Sequence, residues 1–62
     1  MFKLIYAIQG IKHDVTADTL DEILSLSVAA YDRNVDLIEI LKDDRPLYHY
    51  AEIYELIQKC YY

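Results

Sequence analysis

The chain has 62 residues, a net charge of −5 and 55% hydrophobic content. A chain this short buries only about 60% of the surface its unfolded form exposes, so it holds one small core and a second domain is excluded. Cys60 is the only cysteine, which excludes an internal disulfide, and six scattered basic residues against eleven acidic ones argue against direct nucleic-acid binding, which needs clustered Lys and Arg.

Phe2 to Gln9 alternates, with Phe2, Leu4, Tyr6 and Ile8 on one face and Lys3, Ile5, Ala7 and Gln9 on the other. This period of two predicts a strand. Ile5 and Ala7 make its second face partly apolar, as in a strand covered on both sides. Gly10 is the only glycine. A Gln9-Gly10 turn would close a tight hairpin onto the next alternating run, residues 11–16. The competing reading is one long strand bent at Gly10.

Thr19 to Arg33 predicts a helix. Thr19 and Glu22 have the spacing of a capping box, and Asp21, Glu22 and Arg33 carry charges of the sign the helix dipole prefers at each end. At about 100° per residue, Leu20, Ile23, Leu24, Leu26, Val28, Ala30 and Tyr31 form its apolar side. Asn34, which tolerates the left-handed conformation, marks the end.

Asp36 to Leu41 is short and β-branched, a third strand with Ile38 and Ile40 pointing one way and Leu37, Glu39 and Leu41 the other. Residues 42–46 are turn material. Leu47 to Tyr50 then reads either as a fourth strand, with Pro46 at its edge, or as part of a helix beginning at Arg45 or Pro46. Strand then helix is the preferred reading, although neither His49 nor Tyr50 is a good N-cap residue. Ala51 to Cys60 closes the chain as a helix with a stripe of Ile53, Leu56, Ile57 and Cys60, which predicts a buried thiol. The expected fold is therefore α+β, ββαβ(β)α: a three- or four-stranded, mainly antiparallel sheet with the amphipathic central helix on one face. The C-terminal helix is expected on the second face or at the end of the sheet. No internal repeat is visible.

Two groups of residues suggest contact surfaces. Tyr48, Tyr50, Tyr54, Tyr61 and Tyr62 crowd the last fifteen positions. Tyrosine supplies large contact area with one polar tip and is enriched at interfaces. Asp14, Asp18, Asp21 and Glu22 gather around the start of the central helix, where they form an acidic surface or simply a solvated face. Chemistry is less well represented. His13 and His49 have no metal-ligand spacing, Ser25 and Ser27 are helical, and one glycine cannot build a phosphate loop. These residues predict neither metal nor cofactor, and no enzyme, because nucleophile, base and oxyanion donor do not assemble.

Met1 leads straight into a strand without a basic leader and apolar stretch, so the chain reads as a complete small open reading frame with no signal peptide. No apolar run approaches the ~20 residues of a membrane span, and a lone cysteine suits the cytoplasm. Hydrophobic content above the roughly 45–50% of average domains predicts self-association, as a homodimer.

The opening strand FKLIYAIQG, the capped helix TLDEILSL and the hairpin-like IEILKDDRPLYHY resemble, in style and size, small acidic phage- and prophage-encoded proteins with ββαββ-type folds. That resemblance implies a stand-alone factor that binds and modulates a host protein. Three functions follow as expectations: a protein–protein interaction module, an acidic nucleic-acid-mimicking inhibitor of a DNA-binding protein or nuclease, or a purely structural oligomer-forming domain.

Overall fold

The first hairpin sets the frame. β1 (Phe2–Ile8) pairs antiparallel with β2 (Ile11–Ala17), in a register running from Phe2 opposite Ala17 to Ile8 opposite Ile11. Gln9 and Gly10 both have positive φ, 52° and 82°, the backbone of a two-residue turn whose twist matches that of the strands. The structure, a computed structural model, describes residues 1–61, the last of them in its backbone alone.

α1 (Leu20–Asp32) begins at Thr19, whose hydroxyl accepts the Glu22 N–H at 3.2 Å. It ends in a left-handed Asn34 (φ 60°), with the Val35 N–H donating to the Ala30 carbonyl and the Asn34 N–H to that of Tyr31. This pair of bonds satisfies carbonyls that the end of a helix leaves open. The buried stripe differs from the expected one at two positions. Ser27 is fully buried, and its hydroxyl donates to the Ile23 carbonyl at 2.8 Å, whereas Leu26 is exposed on the flank.

β3 (Asp36–Lys42) and β4 (Arg45–His49) form a second hairpin around Asp43 and Asp44, again both at positive φ. Pro46 therefore lies in a strand rather than a helix. α2 (Tyr50–Tyr61) follows with no intervening loop. Its N-cap is His49: the Ala51 N–H donates to His49 Nδ1 at 3.2 Å, while the His49 N–H donates to Glu52 Oε1 at 3.3 Å. These reciprocal bonds do the work of a capping box with an imidazole in the place of a hydroxyl.

The four strands form one antiparallel sheet in the order β2-β1-β3-β4. The chain is thus two ββα halves joined through their first strands, a structural repeat that the sequence does not display. Both helices lie on the same face. Ile23 of α1 and Ile53 and Ile57 of α2 meet Leu4, Leu37 and Ile40 of the two central strands in one buried cluster. The terminal helix thus occupies neither the second face nor the end of the sheet, the two positions expected for it, but lies beside α1, and the facing residues of β3 are set by a bulge. The β1–β3 register shifts between Ile5 and Tyr6, so Leu37 faces Tyr6 and Ile40 faces Leu4. An extra residue in one strand breaks the alternation, and here it turns both Leu37 and Ile40 toward the helices. Ile38 and Ile40 therefore do not share a face as strict alternation requires. The bulge therefore puts Leu37, in place of Ile38, beside Ile40 in the floor on which the helices rest.

Candidate interaction surfaces

With both helices on one side, the other side of the sheet is uncovered. Side chains opposite one another in an antiparallel pair share a face, so Ile5 lies there with Asp14 and Glu39, Ala7 with Lys12, Lys3 with Thr16, and Leu41 with Pro46. Ile5, Ala7 and Leu41 are half-buried and stand outside the core cluster, as does Ile38 at the bulge. The face is an aliphatic strip along the two central strands, rimmed by Lys3, Lys12, Asp14, Asp36 and Glu39. Its sequence signal was the second apolar face of the Phe2–Ile8 strand.

A second surface lies on the helix side, where α1 stops short of the outer hairpin. Leu4, Tyr6, Ile8 and Val15 line a cleft of about 250 Å³ against Leu26 and Ala30 of α1. Ile8 and Ile11 are exposed at the hairpin tip, and the His13 ring stacks on Tyr6 with centroids 5.6 Å apart. Sequence periodicity missed this cleft because it assigned Leu26 to the buried side of the helix.

The tyrosines do not form one surface. Tyr48 and Tyr54 are half-buried against the core, and Tyr54 meets Tyr31 edge-on at 5.6 Å. Tyr50 is exposed at the start of α2. The side chain of Tyr61, and Tyr62 altogether, lie outside the described residues. The acidic group is also divided. Asp21 and Glu22 are exposed in the first turn of α1 and Asp18 in the loop before it, whereas Asp14 sits on the uncovered sheet face.

The two histidines lie on opposite edge strands, three strand spacings or roughly 14 Å apart. Among the described residues, no three His, Cys, Asp or Glu side chains gather closely enough to hold a metal ion, and no helix is long and apolar enough to cross a membrane. Cys60 is exposed, contrary to the buried thiol its spacing predicted, because the core cluster ends at Ile57 and the last turn of α2 runs past it. Compared with known proteins, the chain matches no family model, no curated protein and no solved structure.

Proposed function

We propose that this chain is a small cytoplasmic protein–protein interaction module that self-associates and presents its uncovered sheet face to a protein partner. The observation behind this reading is the aliphatic strip of Ile5, Ala7, Ile38 and Leu41, left open because both helices occupy the other side. Its rim of two lysines and three carboxylates suits a flat apolar surface on a partner that carries charges of both signs, which fixes orientation more than it adds affinity. A stand-alone factor that engages a host protein fits this arrangement. The separation of Asp14 from Asp21 and Glu22 favours it over phosphate mimicry, which calls for acidic groups along one surface.

The test is affinity capture from cytosol with the wild-type chain and with Ile5→Lys and Leu41→Lys variants that circular dichroism shows to be folded. A protein retained by the wild type and lost with both variants supports the reading. Retention by all three, or by none, removes it.

A further inference from the structure

Resting on the self-association proposed above, we infer that the second copy joins along the free edge of β2, in an antiparallel register that sets Lys12 opposite the partner's Asp14. The two edges of the sheet are not equivalent. β4 has five residues, contains Pro46 and carries a register shift against β3, three features that discourage strand addition. β2 has seven residues, no proline and an unbroken register against β1.

The backbone of β2 is oriented for pairing. Ile8 and Ile11 flank a two-residue turn and so form a hydrogen-bonded pair. Bonded and non-bonded pairs alternate in an antiparallel ladder. His13 and Val15 therefore bond inward to β1, while Lys12, Asp14 and Thr16 direct their amides and carbonyls to the free edge.

Side-chain charge selects the register. A two-fold axis at Asp14 would set two like charges opposite each other, and an axis at Lys12 would do the same. An axis at His13 places each Lys12 opposite the partner's Asp14 on the open face, with Ile11 opposite the partner's Val15 on the helix side. Lys12 and Asp14 are both exposed, and neither makes an ion pair among the described residues. The flank of α1 above this edge repeats the pattern, with Glu22 at one end, Leu26 and Ala29 between, and Arg33 at the other. The same two-fold brings Glu22 toward the partner's Arg33 and covers the exposed Leu26. The product is one continuous eight-stranded sheet that doubles the length of the uncovered face.

Sedimentation equilibrium of the wild type, of Lys12→Asp and of Asp14→Lys, each alone and then the two variants in equal mixture, tests this. In the inferred register each variant faces only like charges in its own dimer, so its association weakens by about tenfold or more. Mixing restores opposite charges at every pair and yields a heterodimer of wild-type strength, which a folding defect could not do. A monomeric wild type overturns self-association itself and this inference with it. A wild-type dimer whose strength is unchanged in both variants, or variants that mixing fails to rescue, overturns the β2 register and leaves self-association standing.

Discussion

The hydroxyl of Tyr54, on α2, accepts a hydrogen bond from the backbone N–H of Leu37, on β3, at 3.3 Å. The bond closes a gap in the sheet. β4 ends at His49, opposite Glu39, so the first residues of β3 have no strand on that side, and the phenol takes the place of the missing carbonyl. The same ring meets Tyr31 of α1 edge-on, which ties both helices to the bulged strand. Tyr54→Phe keeps the ring and strands a partly buried amide, which costs about 1–3 kcal/mol. Urea denaturation measures the loss, and an unchanged midpoint would show that the hydroxyl is dispensable.

The two turns invite opposite substitutions. Nothing lies within 4 Å of a Cβ built on Gly10, yet its φ of +82° is strained for any residue with a side chain. Gly10→Ala therefore destabilises by about 1 kcal/mol through the backbone alone. Asp44 occupies the equivalent place in the second hairpin at φ 65°. Asp44→Gly relieves that strain and stabilises by several tenths to about 1 kcal/mol, since the contact it gives up with Lys3 is long at 3.9 Å and exposed. Thermal unfolding of the pair should show shifts of opposite sign.

His49 is the start signal of α2, and its Nδ1 is the acceptor that matters. His49→Ala removes the cap at a cost of about 1 kcal/mol, while His49→Asn restores an acceptor and recovers most of it. For a domain this small, 1 kcal/mol moves the midpoint by about 4–8 °C, which a melting curve resolves.

Ile40 is fully buried on a central strand. Ile40→Ala removes its methyl groups and leaves a cavity, at about 2–5 kcal/mol. That is comparable with the whole stability of about 3–5 kcal/mol expected of a chain without staples. The variant should lack a cooperative unfolding transition at 25 °C. A sharp transition with a normal midpoint would show a core far more tolerant than its packing indicates.

The exposed Glu55–Lys59 pair on α2, 2.7 Å apart, sets a pH window. The hydrogen bond from Lys59, then its charge, holds the Glu55 carboxyl below the usual glutamate range, and the same contact raises Lys59. Stabilisation by a lowered carboxyl is present above its usual value and lost as pH falls through the lowered one. Stabilisation by a raised amine is present below its usual value and lost as pH rises through the raised one. The pair therefore contributes across neutral pH and fades at both extremes, and salt weakens it because both groups are exposed. Glu55→Gln should flatten part of the acid limb in a plot of unfolding free energy against pH.

Local signals carried most of the element order. Alternation in Phe2–Ile8, the lone glycine and the Thr19 and Asn34 helix ends each act within a few residues, and each produced the element it predicted. The polar run at 42–46, by contrast, holds a turn of Asp43 and Asp44 alone, with Lys42, Arg45 and Pro46 in the flanking strands. Where a signal depended on one residue type, it was weaker. His49 is a poor cap by type and becomes one because Glu52 and the Ala51 amide lie within reach.

The sequence by itself determined the α+β class, ββα followed by β and a terminal helix, because hydrophobic period and turn chemistry act over short stretches of chain. Which face each side chain occupies was decided only by the tertiary structure. One extra residue near Ile38 reverses the alternation and sets Leu37, in place of Ile38, with Ile40 on the helix side. Both helices pack on that side, and this leaves Ile5, Ala7 and Leu41 of the other face uncovered. A bulge has no signature in hydrophobic pattern, since it is fixed by how two distant strands pair.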